Sequence, residues 1–590
     1  MKKFLLAFIV LCCLSCGKDD ESLGDLVLEV EVVNVNLEGA QIRWFVNGDR
    51  TPEDVSFKVM LDEFTAEVGY RQTVYNFNNL DQNTEYTVTI IATRTDGLQQ
   101  AQAVTFTTLL NTIFNGNLTI DTQQKADDFI YTEVRGTLFI RGSEVTDISN
   151  LASLVMVEEL VIYDTDLASL SGLEGLNRFY RTSHSRSGIT LWFNDVLTDV
   201  SALSGLAGTT LELRLLFNPL LQDLEGLGLA DIATKLEIRS TPVNDLSYFS
   251  NVRELDDLLL TDATELQSFQ GLDNLESLFE LGLSGDLQFT NFEGLESLNR
   301  IRRFVVFENL DSLESFNGLE NLETILGSLQ IRNCNNLTSL AGLSSLRSLS
   351  GFFKISDCQN LQTLAGPPML NSVGGPFFIE SMPALTAVEG FDALVTIEGD
   401  LNLTNCSQLE SINGFSGLRT LEDVNITDLE NLMTIEGFSN LNALTDLRLF
   451  NLPVLNDLQW LNGLIRVNND LQIYDVNVSS LNGLNGLERV HNLLLYDVPI
   501  ADLTGLENLS LVENLDISQC SSLTSLYGIA PTNDLDPNDI GTLSFQNNSS
   551  LTDYCSFTDY VNNVVCLWTA SGNAYNPTKP QVESTSECSI

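Results

Sequence analysis

From about residue 116 to residue 545 the chain repeats one short apolar pattern, with a period of roughly 20 to 29 residues. Residues 327–349 read GSLQIRNCNNLTSLAGLSSLRSL, and residues 399–421 read GDLNLTNCSQLESINGFSGLRTL. A fixed period of this length indicates a solenoid, because so small a coil cannot bury its own core and must stack on its neighbours. We therefore expect residues 116–550 to form one array of about 19 coils.

Each coil predicts a strand, a turn and a second short apolar segment. The strand core alternates between inward and outward side chains, as in Leu329-Gln330-Ile331. The segments are too short for a long helix, so the coils are predicted to be mostly parallel β. A glycine recurs in the second segment, where a positive φ or close contact with the next coil would require it. These glycines include Gly172, Gly226, Gly271, Gly294, Gly318, Gly414, Gly483 and Gly505.

The repeat resembles leucine-rich repeats and is most similar to the receptor L-domain variety, whose coils carry short parallel strands on several sides. The bacterial internalin-type repeat is a near relative, matched best by VTDISNL at residues 145–151. The resemblance implies a parallel-β solenoid, and an open leucine-rich-repeat horseshoe is the alternative. It says little about function, because one fold serves many functions.

Residues 24–109 do not follow the repeat and instead predict a β-sandwich. Strand-like runs separated by turn residues lie at residues 27–33, 40–46, 55–61, 73–77, 86–93 and 103–107. The string LDQNTEYTV at residues 80–88 resembles the E–F corner of a fibronectin type III domain. This resemblance implies that Tyr86 is the corner tyrosine, that Trp44 is the core tryptophan, and that the domain acts as a stalk.

The first residues predict export and lipid anchoring. Lys2 and Lys3 precede an apolar run at residues 4–14 that is too short to span a bilayer, so residues 1–15 are typical of a signal peptide. Leu14-Ser15-Cys16 resembles a bacterial lipobox, which implies that Cys16 is lipidated. The acidic linker at residues 16–23 resembles the export signal of Bacteroidota lipoproteins, which implies an outer-membrane anchor facing the cell exterior. An ordinary signal peptide followed by a solvated linker is the alternative.

The chain is strongly acidic, with 29 basic and 80 acidic residues and a formal net charge of −51. Nucleic acid requires a basic footprint, so we expect no nucleic-acid partner. The same net charge argues against electrostatic docking on anionic lipid. A soluble, self-repelling extracellular surface is the favoured interpretation, and an acidic face for cations or basic partners is the alternative.

Four cysteines, Cys334, Cys358, Cys406 and Cys520, share one position of the repeat. Other coils place Asn218, Leu310, Met382, Leu429 or Leu452 there. A position that accepts all these residues predicts a buried packing slot, and hence free thiols that behave as small apolar groups.

The two ends of the array need covering. At the start, we expect the sandwich and an irregular segment at residues 121–132 to do this. At the far end, residues 551–590 resemble the C-terminal tail of bacterial surface proteins with such repeats. Cys555, Cys566 and Cys588 lie in this tail and permit three pairings. We expect a capping disulfide between Cys555 and Cys588, which leaves the state of Cys566 open.

No residues converge into a recognisable catalytic set. The outward strand position has no run of aligned carboxylates, and neither His184 nor His491 has an evident partner in the sequence. We therefore expect the chain not to be an enzyme. No phosphate loop, nucleophile elbow or zinc spacing is present, so no cofactor is expected.

One possible calcium site remains at residues 534–539. Asp534, Asp536, Asn538 and Asp539 place oxygen donors close together, but the glycine and glutamate of a calcium loop are missing. A solvated loop is the favoured interpretation, and a weak calcium site is the alternative.

The outward column of side chains carries aromatic residues at two places. Phe450, Tyr474 and Tyr496 occupy it in three successive late coils, which would stack them about 4.8 Å apart. Leu494 lies on the same face, and Trp192 occupies the column in an early coil next to Leu216. Such rings bind sugars or partner proteins, or they only stabilise the sheet.

Together these features favour a non-catalytic surface lipoprotein that binds a protein or glycan, as in adhesion or surface capture. Two alternatives stay open. The first is a polysaccharide-binding or polysaccharide-degrading β-helix protein, which requires exposed rings and, for cleavage, paired carboxylates. The second is a structural surface-coat protein, which requires neither.

Overall fold

The computed structural model describes residues 26–590, apart from residues 37, 47–52, 111, 181–186, 207–211, 228–231, 530–540 and 564–565. The chain divides into two compact units, and the boundary in the sequence falls between Thr112 and Ile113. The predicted signal peptide, Cys16 and the acidic linker up to residue 23 lie outside the described residues. So do His184 and the possible calcium ligands Asp534, Asp536, Asn538 and Asp539.

The first unit contains two antiparallel sheets that enclose one apolar core. The three-stranded sheet consists of Leu28–Val35, Ala40–Val46 and Val74–Phe77. The four-stranded sheet consists of Phe64–Val68, Val55–Leu61, Glu85–Arg94 and Gln99–Thr107. The sandwich and its six predicted strands are confirmed. Phe64–Val68 was not predicted; it forms a hairpin with Val55–Leu61, and Asp62 turns the chain with a φ of 51°.

Two aromatic residues have the geometry expected for this sandwich. Trp44 is fully buried, and its ring centroid lies 5.5 Å from that of Phe57. The hydroxyl of Tyr86 accepts a hydrogen bond of 2.8 Å from the backbone N–H of Asp81, five residues upstream. This bond closes the corner before the strand Glu85–Arg94, as a corner tyrosine does.

The second unit is a parallel-β solenoid, as predicted. Its principal ladder pairs each strand in parallel with the next strand of the ladder along the chain. The strands are Leu118–Ile120, Glu133–Arg141, Met156–Tyr163, Gly188–Trp192, Glu212–Leu216, Ile232–Arg239, Glu254–Thr261, Ser277–Ser284, Val305–Glu308, Leu329–Arg332, Phe353–Ser356, Phe377–Glu380, Leu401–Thr404, Asp423–Thr427, Asp446–Leu452, Arg466–Val476, Arg489–Tyr496, Leu511–Ser518, Gly541–Gln546 and Cys566–Ser571. About 19 turns are therefore confirmed, and Cys566–Ser571 adds a last strand within the C-terminal tail.

Many coils carry further short strands. Those of a second set each come just before a principal strand and belong to the same sheet, whereas a four-stranded sheet is separate. The second set comprises Ile113–Asn115, Arg178–Phe179, Arg300–Ile301, Thr324–Ile325, Ser348–Leu349, Ser372–Val373, Thr396–Ile397 and Ala443–Leu444. A separate four-stranded parallel sheet comprises Thr363–Ala365, Ala387–Glu389, Ser411–Ile412 and Thr434–Ile435. Short 3-10 helices replace strands at Ser149–Ser153, Ser201–Leu206, Ser247–Phe249, Ala341–Leu343 and Gln459–Leu461.

The inward side chains form one continuous apolar core along the array. The packing slot is buried as predicted, and Cys334, Cys358, Cys406 and Cys520 are free thiols within it. Burial raises the pKa of both Cys406 and Cys520 to about 11. Where the slot holds Asn218, the side-chain Nδ2 donates to the backbone oxygen of Leu191 at 3.0 Å, so the polar group is satisfied inside the core.

The recurring glycines stand where the backbone both turns and touches the preceding coil. Gly294 has a φ of 102°, and a Cβ on it would collide with the carbonyl carbon of Phe269. The seven other predicted glycines of this set also have positive φ. Both reasons for a glycine at this corner therefore apply at once.

The ends of the array are closed by short helices. At the start, residues 121–132 are not wholly irregular, because Gln123–Asp127 is an α-helix capped by Thr122. Ala126 and Phe129 extend the solenoid core there.

At the far end, the predicted disulfide joins Cys555 to Cys588. The 3-10 helix Cys555–Phe557 and the α-helices Thr558–Asn563 and Lys579–Glu583 surround it. Tyr554 packs on Phe545 of the array with ring centroids 5.6 Å apart. Cys566 is buried and free.

Candidate ligand-binding site

The outward column of the principal ladder has the register that the sequence predicts. It runs through Trp192, Leu216, Arg239, Thr261, Ser284, Glu308, Arg332, Ser356, Glu380, Thr404, Thr427, Phe450, Tyr474, Tyr496 and Ser518. Each of these residues lies beside its equivalent on the next strand. Phe450, Tyr474 and Tyr496, here called the aromatic strip, are therefore neighbours as predicted.

The rings of the aromatic strip stack face to face. The centroids of Phe450 and Tyr474 are 4.7 Å apart with planes 10° from parallel, and those of Tyr474 and Tyr496 are 5.4 Å apart at 17°. Each face of Tyr474 is thus covered by a neighbouring ring. Tyr496 ends the stack, is 39% exposed, and has Ser518 as its next neighbour in the column. A serine is too small to cover a ring, so one face of Tyr496 is open.

A groove of about 350 Å³ lies beside the aromatic strip on the same face. Leu494 forms part of its lining, between Gln472 and Asp516 on the neighbouring strands. The other lining residues are Asp470, Asn492, Asn514, Leu515, Thr542 and Ser544. The volume lies within the range of about 300–1,000 Å³ that is typical of small-ligand pockets.

The polar side chains of the groove form an ordered ladder. Nδ2 of Asn514 donates to Oδ1 of Asn492 at 2.7 Å, and Nδ2 of Asn492 donates to Oδ1 of Asp470 at 2.6 Å. Gln472 donates to the second oxygen of Asp470 at 2.8 Å. These bonds hold the amide and carboxylate groups in fixed orientations before any ligand arrives.

Asp516 is a groove carboxylate two residues before Ser518, the neighbour of Tyr496 in the outward column. Its Oδ1 accepts a hydrogen bond of 2.5 Å from the hydroxyl of Ser518. Among the described residues, its Oδ2 has no hydrogen-bond donor. A carboxylate oxygen that faces a groove can accept bonds from ligand hydroxyl groups.

Carboxylates beside the strip and groove influence the titration of their neighbours. The pKa of Tyr474 is raised, first because the phenol is partly buried and then because Asp516 and Asp470 oppose its ionisation. Burial also raises the pKa of Asp423 on an earlier strand, with further contributions from Asp400 and Asp446. The nine residues that line the groove include two aspartates and no Lys, Arg or His.

Trp192 belongs to a separate exposed cluster many coils earlier. Its ring lies 5.1 Å from that of Tyr163 and 5.4 Å from that of Phe193, and Phe193 stacks on Phe217 at 4.8 Å. The structure therefore places Trp192 with other aromatic residues but not with the strip, so the predicted binding residues form two groups.

Phe193 and Phe217 were not identified from the sequence. They stand just after the outward column, where the backbone enters the left-handed region with φ of 54° and 55°. Eleven other coils place Asp or Asn there: Asp164, Asp262, Asn309, Asn333, Asp357, Asn405, Asp428, Asn451, Asp475, Asp497 and Asn547. A bulky residue in this conformation is an outlier. The signal in the sequence was a phenylalanine at a position that otherwise favours Asp or Asn.

The structure corrects one sequence-based statement about chemistry. His491 does have a partner, because its Nδ1 lies 2.8 Å from Oε2 of Glu513. Neither residue lines the groove. In the described parts of the chain, no group of three or more His, Cys, Asp or Glu side chains is placed to hold a metal ion. Of the helices that the structure describes, none is long and apolar enough to cross a membrane.

No model of a known protein family matches this chain, and no curated protein matches it.

Proposed function

We propose that this protein is a non-catalytic, surface-exposed lipoprotein that binds a glycan through the aromatic strip and the groove beside it. The observation that carries the proposal is the position of Tyr496. Its ring ends a rigid stack, and the adjoining groove is lined by Asp470, Asn492, Asn514 and Asp516.

A sugar ring has one face made of C–H groups and a rim of hydroxyl groups. An aromatic ring or a leucine suits the apolar face, and carboxylates and amides suit the hydroxyls. Tyr496 and Leu494 supply the first kind of contact, and Asp516 with its neighbours supplies the second. A protein-binding face would instead favour an apolar centre with the polar groups at its rim.

The location of the protein on the cell surface is part of the same proposal. The lipobox-like Leu14-Ser15-Cys16 and the acidic residues that follow favour a lipid anchor on the outside of the outer membrane. The net charge of −51 suits a protein that stays soluble outside the cell. The sandwich, with Tyr86 bonded to Asp81, suits a fibronectin type III stalk, and the solenoid suits a receptor L-like array.

A glycan array probed with the intact purified chain tests the function. We expect binding to at least one glycan class, and loss of that binding when Tyr496 is changed to Ala. Tyr527→Ala is the matched control, because Tyr527 is also exposed but lies outside the strip and groove. No binding to any glycan would contradict the proposal and favour a protein ligand or a structural coat. Equal binding by Tyr496→Ala would leave a glycan-binding protein but contradict the role of the aromatic strip.

Labelling with radioactive palmitate in a bacterial host tests the anchor. We expect incorporation that disappears in Cys16→Ala. Label that persists in this variant would refute lipidation at Cys16.

A further inference from the structure

We infer that the ligand is an uncharged glycan, and that one of its sugar rings stacks on the open face of Tyr496, above Ser518 and beside Asp516. This inference rests on the proposed glycan function and goes further, because it assigns one subsite and one charge class of ligand. Three features of the face carry it: the covered rings, the size of Ser518 and the charge of the groove.

The stacking geometry leaves few ring faces for a ligand. Both faces of Tyr474 are occupied by Phe450 and Tyr496, at 4.7 and 5.4 Å. A sugar can therefore lie flat only at an end of the stack. The two ends are Phe450, next to Thr427, and Tyr496, next to Ser518.

Only one of these ends adjoins the groove. The groove is lined by residues of the strands Arg466–Val476, Arg489–Tyr496, Leu511–Ser518 and Gly541–Gln546. The end at Tyr496 lies among these strands, whereas Thr427 lies on an earlier strand that contributes nothing to the groove. A sugar above Ser518 thus lies next to the hydrogen-bonding groups of the groove, whereas a sugar above Thr427 lies away from them.

Asp516 is placed to bond such a sugar. Its Oδ1 is held by Ser518, which fixes the carboxylate, and its Oδ2 has no donor among the described residues. Asn514, two residues earlier on the same strand, and Ser544, opposite Asp516 on the next strand, also line the groove. The open face of the Tyr496 ring and the oriented carboxylate of Asp516 together define a subsite for a sugar ring with adjacent hydroxyl groups.

The charge of the groove selects against acidic glycans. Asp470 and Asp516 both line it, and its lining holds no basic residue. Both aspartates also raise the pKa of Tyr474, which agrees with a negative potential at the strip. An anionic sugar would meet like charge at short range, and the net charge of −51 would oppose its approach.

Ser518→Phe is the sharpest test, because it extends the aromatic stack by one ring. It should cover the open face of Tyr496 while keeping the fold, since the three preceding coils already hold aromatic residues in this column. Thr427→Phe is the matched control, because it extends the stack by one ring at the other end. If the strip serves stability alone, the two variants should behave alike.

The probes are soluble neutral oligosaccharides of hexoses and pentoses, and oligosaccharides of uronic acids or sulfated sugars, titrated calorimetrically into the intact chain. We expect a neutral glycan to bind at least tenfold more tightly than any anionic one. We expect Ser518→Phe to weaken that binding at least tenfold and Thr427→Phe to leave it unchanged. Thermal unfolding of each variant shows whether it is folded, and Tyr496→Thr, which removes the ring, replaces Ser518→Phe if the latter does not fold.

The outcomes separate this inference from the proposed function. Neutral-glycan binding that survives both Ser518→Phe and Tyr496→Thr would leave a glycan-binding protein but overturn the assigned subsite. Equal or tighter binding of anionic glycans would overturn the assigned charge class. Failure of every glycan to bind would overturn the glycan function itself, and the inference with it.

Discussion

The ring of Tyr496 lies 5.4 Å from that of Tyr474, with planes 17° from parallel, and these two residues hold different places in the stack. Tyr474 is enclosed between two rings, whereas Tyr496 has a ring on one side only. Residues of one type, in one column and on adjacent strands, are therefore expected to serve different purposes. We expect Tyr474 to stabilise the face and Tyr496 to offer its uncovered side to the proposed ligand.

Replacing Tyr474 by Ala should lower stability. The change removes two stacked contacts, each worth about 0.5–1.5 kcal/mol, so we expect a loss of about 1–3 kcal/mol. Tyr474→Phe keeps both contacts and should cost less than about 0.5 kcal/mol. Urea denaturation followed by circular dichroism measures both variants. Equal stability of Tyr474→Ala and the wild type would show that the stack contributes nothing.

Gly294→Ala should destabilise the array more than Gly142→Ala. Both glycines have positive φ, 102° and 91°, and a side chain there costs about 1–2 kcal/mol. A Cβ on Gly294 would also collide with the backbone of Phe269, which adds about 1–3 kcal/mol, whereas the nearest atom to a Cβ on Gly142 is 3.8 Å away. Hydrogen exchange of the neighbouring strands reports the local cost. Equal effects would mean that the coils can move apart at the corner.

Phe193→Asn should change stability by less than about 1 kcal/mol. The change relieves about 1–2 kcal/mol of strain from the left-handed backbone conformation. It also removes ring stacking on Trp192 and Phe217, whose free energy is of similar magnitude. Asn309→Phe is the reciprocal control, and we expect it to cost about 1–2 kcal/mol of stability. It introduces the same backbone strain, but the neighbouring residue is Asn333 and not an aromatic residue, so no stacking offsets the cost. Thermal unfolding of the two variants tests this difference. A large loss in Phe193→Asn would show that stacking outweighs strain.

The buried thiols should make stability fall as the pH rises above about 9. The pKa of Cys406 and of Cys520 is about 11 in the folded chain, compared with a reference value of 9.0. Between these values the unfolded chain has lost protons that the folded chain still binds, so unfolding becomes more favourable with increasing pH. Denaturation midpoints between pH 8 and 11 measure the effect. Cys406→Ala/Cys520→Ala should show a smaller slope, and an unchanged slope would contradict this origin.

Breaking the disulfide between Cys555 and Cys588 should loosen the C-terminal end of the array. The bond closes a loop with a sequence separation of 33 residues, and its loss is expected to cost about 2–4 kcal/mol. Cys588→Ser should therefore increase hydrogen exchange in the last strand, Cys566–Ser571, more than in Leu329–Arg332. Cys566→Ser serves as the control because Cys566 is not cross-linked. Uniform exchange along the array would show that the cap is independent of the bond.

The sequence predicted most of the fold because the repeat expresses packing constraints directly. Residues such as Leu329 and Ile331 alternate with polar neighbours, and a one-residue slip would turn them outward. The same alternation placed Phe450, Tyr474 and Tyr496 in one column, and the structure confirms it. The strand Phe64–Val68 also alternates apolar and polar residues, but it was missed because it is only five residues long and none of its side chains is buried.

The sequence by itself determined the coil: its strand, its buried slot, its glycine corner and its outward column, all of which repeat because every coil meets the same neighbours. Tertiary structure alone decided which faces of the outward side chains stay uncovered. The open face of Tyr496, the covered faces of Tyr474 and the carboxylate of Asp516 beside Ser518 depend on stacking between coils and on side-chain direction. The repeat pattern predicts which residues each coil buries, whereas the surfaces that stay uncovered are known only once the coils are stacked.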